Sequence, residues 1–303
     1  MKRNKSILGV DIGVKKTKVV QLAFSGKAQP ELVTCELLDT GLGDESFQAN
    51  MKAFLSDSKL KNSLAAVTFE DPSLVIRRFE LPKMPDLDLI EALKWNLRDH
   101  IDSDVEHYTI KHSKISEIEE GDLIKTEIVV YAAKKSAILD YKLRIEQTGL
   151  LVFMIEPSAV TLASALDRFI PDESRYIAGV DVGHHQTKFY VVGNRSFIFS
   201  RPVPGVNYEV YEKSPDDFPQ KLAIEIQKSI DTFQVNFRMQ DIRHICLSGG
   251  GALIENLPEY LRKNMGLEVD TLNPFTSVLM GTSSTTLRPE LFGQAVSLAF
   301  LQP

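Results

Sequence analysis

Two stretches of this chain repeat one another: GVDIGVKKTKVV at 9–20 and GVDVGHHQTKFY at 179–190. Shifted by 170 positions, Gly9, Val10, Asp11, Gly13, Thr17 and Lys18 match Gly179, Val180, Asp181, Gly183, Thr187 and Lys188. Each copy reads as a buried strand, a tight turn and a second strand, with TKVVQLAF or TKFYVVGN resuming the β pattern and SFIFSRPV continuing the second. A carboxylate at the end of a buried strand needs a donor or a cation. Repetition at this range predicts two related halves. Two such turns facing each other would bring two carboxylates and several backbone N–H groups into one cleft. That arrangement suits a polyphosphate with Mg²⁺ held through water by Asp11 and Asp181. An ordinary Asp-Gly hairpin turn remains the alternative for either copy alone.

A third element follows. ICLSGGGALI at 245–254 reads as a short strand and three glycines, and ALIENLPEYLRKNMG predicts a helix with Leu253, Leu257 and Leu261 on one face, ending at Gly266. Gly249, Gly250 and Gly251 would let the backbone approach a flat ligand, where a Cβ would clash. Two D-x-G-x-x-x-T hairpins followed by this turn resemble the actin/Hsp70/sugar-kinase ATPase superfamily at its two phosphate loops and its adenosine-binding turn. MIEPSAVTLASALDRF at 154–169 resembles that superfamily's Glu-Pro connecting helix, with Pro157 at the start and Ala159, Leu162, Ala163 and Leu166 as the apolar stripe. PELFGQAVSLAF looks like the second connecting helix. The resemblance makes Glu156 the candidate catalytic residue, a carboxylate orienting attacking water. A helix N-terminal acid favoured by the dipole is the alternative.

SLVIRRFELPKMPDLDLIEALKWNLRDHI at 73–101 is punctuated by Pro82 and Pro85, with Asp86 expected to cap a helix bearing Leu89, Leu93, Leu97 and Ile101. Strands are expected at about 107–117 and 126–133, around the acidic turn SEIEEGD, and a helix at 136–148. This segment reads as a small inserted β/α subdomain at about 82–134. With it, the order VIRRFELPKMPD, EIVVYAAKKSAILDYKLRIEQTGL, EPSAVTLASAL, EIQKSIDTFQ, LSGGGALIENLPEYL and LEVDTLNPF resembles the PilM family from Gly9 to Phe300. PilM proteins are actin-like, FtsA-related components of type IV pilus assembly.

The resemblance implies an actin-like α/β fold of two ribonuclease-H-like lobes. The first spans 1–170 with its insertion; the second spans 171–303, with helix 289–300 returning to the lobe junction. It implies ATP or ADP with Mg between the lobes and weak hydrolysis. The implied nucleotide-binding residues are Asp11, Gly13, Lys15, Lys16, Thr17, Lys18, Asp181, Gly183, Gln186, Thr187, Glu225, Lys228, Gly249, Gly250 and Gly251. Glu225 and Lys228 share a face of a helix expected at 216–238, and a surface ion pair is their alternative reading. The implied partner is the N-terminal cytoplasmic peptide of a PilN-like inner-membrane protein, bound in a groove between the first lobe and the insertion. The pilus motor ATPase and platform protein are further candidate partners. The implied location is cytoplasmic, attached to the inner membrane through that partner.

The chain departs from its relatives in places. Val14, Lys15 and Lys16 replace small hydroxyl residues, and the lysine pair could equally be a solvated turn face. His184, His185 and Gln186 replace small residues of the second loop. Alternation along a strand-turn predicts that the two imidazoles point to different sides, against a His-His metal site. Asn96 stands where an acidic residue is usual, and Trp95 is expected on the core face of its helix.

Composition excludes several classes. The net charge of −6, with a pI near 5.6 and no dense Lys/Arg run, argues against nucleic acid. Cys35 and Cys246 lie far apart and read as small core residues of a reducing compartment. MKRNKSILGV does not read as a signal peptide, no run approaches the roughly 18 apolar residues of a membrane span, and SLAFLQP lacks the basic face of a membrane-binding helix, which disfavours direct membrane insertion and an FtsA-like filament former. A sugar or acetate kinase on the same fold, and a pseudo-ATPase scaffold with an empty cleft, are the alternative functions.

Overall fold

The computed structural model describes residues 7–25, 29–121, 123–170, 176–193, 196–237, 241–280 and 288–301. The chain divides into two compact units, one of residues 1–68 and 145–303 and one of residues 69–144.

The larger unit contains two five-stranded sheets of the same design. In the first, β1 (Leu8–Ile12) lies between β2 (Thr17–Ala23) and β4 (Leu64–Phe69), flanked by β3 (Glu31–Leu38) and β8 (Leu151–Pro157), in the order β3-β2-β1-β4-β8. In the second, β9 (Tyr176–Val182) lies between β10 (Thr187–Gly193) and β12 (Ile242–Gly249), flanked by β11 (Ser196–Val203) and β13 (Glu268–Thr271), in the order β11-β10-β9-β12-β13. The central pair is antiparallel to its hairpin partner and parallel to the next strand in both sheets. The registers match as well: Asp11 faces Lys18 across one hairpin, and Asp181 faces Lys188 across the other.

Helices cover these sheets. α1 (Phe47–Asp57) buries Phe47, Met51 and Leu55, one per turn. α4 (Ser158–Phe169) buries Ala159, Leu162, Ala163 and Leu166, the stripe its sequence spacing predicts. Pro157 stands at its N-cap, so Glu156 belongs to β8 rather than to the helix. α8 (Gly293–Ala299) shares an apolar core with α4, β2 and β10, and Thr161 Oγ1 donates to Gln294 Oε1 at 3.0 Å. Gly9 explains how closely α8 lies on β1: a Cβ there would stand 1.9 Å from the Ala295 carbonyl oxygen. α5 (Tyr208–Lys213) and α6 (Phe218–Asn236) follow β11. Arg238, at the expected end of α6, lies outside the described residues. α7 (Leu257–Met265) ends at Gly266, whose φ of +68° suits glycine. Leu253 is not on that helix but in a short 3₁₀ turn over 250–253, because Ile254 and Asn256 leave helical geometry before α7 begins.

The smaller unit is an antiparallel sheet, β5 (Val75–Pro82), β7 (Leu123–Lys134) and β6 (Tyr108–Glu120) in that order, with α2 (Asp86–Leu97) packed on it and α3 (Lys135–Glu146) running on from β7. Both long strands extend beyond their expected ends and meet at Gly121 with φ +61°. α2 buries Leu89, Leu93 and Leu97 against Tyr108, Ile128 and Val130. Asp86 does not cap it: Pro85 holds the N-cap, and Asp86 is in the first turn, 2.9 Å from Lys114 Nζ. Ile101 follows the helix rather than riding on it, yet packs against the same core.

Trp95 corrects its sequence expectation. It is 67% exposed, two residues beyond Leu93 and thus about 200° around the helix from the buried stripe. The Arg98 guanidinium lies 4.4 Å from its ring centroid, which holds the indole on the outer face.

Candidate functional site

The two hairpin turns are built alike. Gly13 N donates to the Lys16 carbonyl, and Gly183 N to the Gln186 carbonyl, both at 3.0 Å. Added Cβ atoms would fall 2.9 and 2.7 Å from those same oxygens, so the close approach requires glycine at both places. Asp11 and Asp181 then stand at corresponding ends of β1 and β9.

Each carboxylate takes a hydroxyl donor from the neighbouring parallel strand. Thr68 Oγ1 donates to Asp11 Oδ1 at 3.1 Å and accepts from Ile12 N at 3.2 Å. Ser248 Oγ donates to Asp181 Oδ1 at 2.9 Å. Sequence reasoning missed both donors. Their signal was a hydroxyl residue ending an apolar strand, in AAVTF and in ICLSG.

The lysines differ. Lys18 Nζ lies 2.9 Å from Asp11 Oδ2, in a pair whose side chains are 17% and 7% exposed. Lys188 Nζ donates to Ser158 Oγ, at the start of α4, at 2.6 Å. Burial by itself would lower the Lys18 pKa, but the charge and hydrogen bond of Asp11, with the charge of Asp181 added, hold it above the ordinary lysine value. Asp181 moves the opposite way for an acid: burial raises its pKa, and the Asp11 charge adds to this, while Lys188, Ser248 and Lys18 oppose it. Asp11, Lys18 and Asp181 therefore share one electrostatic neighbourhood.

The glycine turn completes this neighbourhood. Gly249 has φ +74°, and a Cβ on it would lie 2.8 Å from Asp181 Oδ1 and from the Val182 carbonyl oxygen. A Cβ on Gly251 would collide with the Val182 side chain, and one on Gly250 would approach the Tyr208 ring at 3.2 Å. The bare backbone of 249–251 thus lies against the end of β9. Two carboxylates, a lysine ammonium and a turn without side chains fit a magnesium-bound anion. Ser248 occupies only Oδ1 of Asp181.

The remaining candidates fall as follows. Thr17 is buried, and its hydroxyl donates to the Thr40 carbonyl at 2.7 Å. Thr187 is equally buried, with a hydroxyl that has no hydrogen-bond partner among the described residues. Lys15 and Gln186 are exposed, and Lys16 pairs with Asp39 at 2.7 Å on the surface. Glu225 and Lys228 form an ion pair of 2.6 Å on α6. Burial raises the Glu156 carboxyl above its ordinary pKa, whereas a helix dipole would lower it.

His184 and His185 correct the sequence expectation of opposite orientations. Their rings meet edge to face, with centroids 4.5 Å apart, because the turn between β9 and β10 abandons strand alternation there.

The architecture agrees with known proteins over nearly the whole chain. A solved structure described as the PilM-PilN type IV pilus biogenesis complex superposes with a TM-score of 0.80 at 17% identity, over 98% of each chain. The ethanolamine utilization protein EutJ from Carboxydothermus hydrogenoformans matches with a TM-score of 0.51 at 11% identity, over 97% of this chain and 88% of that one. A Bacteroides thetaiotaomicron protein of actin-like ATPase fold and unknown function matches at 0.50 and 12%, over 90% and 93%. No curated protein sequence matches. The fold is the actin-like ATPase fold, with its two related halves each built on one of the duplicated hairpins.

Residues 206–300 match the family model described as type IV pilus assembly protein PilM. The chain is thus similar to PilM in sequence over these residues and in fold over nearly its whole length.

Proposed function

We propose that this chain is a nucleotide-binding scaffold of type IV pilus assembly that holds Mg-ATP or Mg-ADP against its two hairpins. The observation that carries the reading is the duplicated Asp-Lys register beside a glycine turn that contacts Asp181. Asp11 and Asp181 would hold Mg²⁺ through water, Lys18 would neutralise phosphate, and residues 249–251 would receive the nucleoside. Bound magnesium would supply charge neutralisation of the phosphates. Glu156 would orient water, with hydrolysis slow enough that binding rather than turnover is the signal.

The proposed partner is the N-terminal cytoplasmic peptide of a PilN-like inner-membrane protein, through which the chain would sit at the inner membrane. No helix among the described residues is long and apolar enough to cross a membrane. β8 ends the sheet order, and Leu151 and Phe153 on it are 47% and 39% exposed. An edge strand with exposed apolar side chains supports recognition of an extended peptide. The pilus motor ATPase and platform protein are further proposed partners.

Calorimetry with Mg-ATP, followed by titration of the candidate peptide, tests both parts. Saturable nucleotide heat and peptide binding weakened at least tenfold by Phe153→Asp support the reading. Absence of nucleotide binding reduces it to a pseudo-ATPase scaffold. Absence of peptide binding by a folded chain, with ATP consumption stimulated by a small metabolite, replaces it with a phosphotransferase.

A further inference from the structure

We infer that His184, His185 and Glu209 form a site for a borderline transition-metal ion, with Zn²⁺ as its simplest occupant. One ligand atom from each residue lies within 4.8 Å of the other two. The two imidazoles are in ring contact, and His185 Nδ1 lies 3.1 Å from Glu209 Oε2. Donors bound tetrahedrally at about 2.0–2.1 Å stand roughly 3.3 Å apart, so the His185–Glu209 pair already has about the required spacing and the third donor needs a shift of at most about 1.5 Å.

The backbone beneath these side chains is fixed from both directions. Tyr208 N donates to the Gly183 carbonyl at 2.9 Å and Glu209 N to the His184 carbonyl at 3.0 Å, while Asn207 Nδ2 donates to the His185 carbonyl at 2.9 Å. Asn207 also caps α5 through its side chain, at 2.9 Å from Val210 N. The β9–β10 turn and the start of α5 therefore present their ligands as one preorganised unit. Glu209 has the surroundings of a metal-bound carboxylate: Oε2 faces His185, and Oε1 accepts from Lys213 Nζ at 2.7 Å, an outer partner that orients it.

Two imidazoles and one carboxylate select Zn²⁺, Ni²⁺, Co²⁺ or Cu²⁺ over Mg²⁺, which prefers oxygen ligands alone. Three protein ligands leave a fourth position for water. A bound ion would replace the His185–Glu209 hydrogen bond and tie the turn at 183–186 to α5.

The test titrates the full chain, stripped with chelator, with Zn²⁺ in a calorimeter. It is repeated with Co²⁺, whose absorption reports tetrahedral ligation. One saturable site is expected, unaffected by excess Mg²⁺ and weakened about tenfold or more by His185→Ala and by Glu209→Gln. His244→Ala, which breaks the 2.9 Å pair of His244 with Asp270, leaves the affinity unchanged. The exposed Glu209→Gln change decides the matter should the histidine variant misfold. Unchanged affinity in Glu209→Gln, or no saturable binding at millimolar Zn²⁺, overturns the site.

Discussion

Gly249 and Asp181 belong to different motifs, yet a Cβ on Gly249 would lie 2.8 Å from Oδ1 of Asp181. The glycine turn after β12 and the acidic end of β9 are one structure. The positive φ of Gly249 and the register Ser248–Asp181 fix that contact together.

Gly249→Ala is expected to strain the backbone and displace Asp181. A cost of about 1–3 kcal/mol in urea unfolding is expected, with a larger proportional loss of Mg-ATP binding. A variant of wild-type stability and affinity would show that the turn does not constrain the carboxylate.

Lys18→Met removes the cation from a largely buried pair and leaves Asp11 uncompensated. The expected destabilisation at pH 7 is about 3 kcal/mol by denaturant titration. Adding Asp11→Asn should recover much of it, since the buried charge is then gone. Additive losses in the double variant would contradict the pairing.

Asp181 gives a pH dependence of defined sign. Its folded pKa is raised, so the native state holds this proton more tightly than the unfolded chain, whose value is about 3.9. Its contribution to stability is present below that value and is lost as pH rises through the elevated folded pKa. Without ligand, Asp181→Asn should therefore melt above wild type at pH 7, and the difference should close toward pH 4. Nucleotide affinity should fall in the same variant. A melting difference that widens toward acid would contradict the assignment.

Gly9→Ala tests the contact between β1 and α8. The added methyl meets backbone atoms of Ala295 and Ala299, which cannot rotate away. A loss of about 3 kcal/mol or more is expected by denaturant titration, well beyond ordinary overpacking. A tolerant Gly9 would mean that α8 can move off the sheet.

The hairpins were legible because turn length and strand alternation are local. Once Gly13 closes on Lys16, pairing Ile12 with Thr17 and Asp11 with Lys18 follows along the ladder. The same holds for Gly183 and Gln186. The apolar stripe of α4 was legible for the same reason, since helical period alone selects it. Trp95 was misread although the same period places it: with Leu89, Leu93 and Leu97 inward, position 95 falls about 200° away, and the usual burial of an indole was weighed above that spacing.

By itself the sequence determined two copies of a strand-turn-strand unit and the residues at each turn, since these depend on neighbours a few positions apart. Tertiary structure alone decided that Thr68 and Ser248 would supply donors to the two aspartates. They arrive on parallel strands, whose register is set by packing across long connections. It also decided that Lys188 would reach Ser158 Oγ at the start of α4, while Lys18 bonds Asp11. The serine that Lys188 meets lies 30 residues away in sequence, so only packing brings the two together.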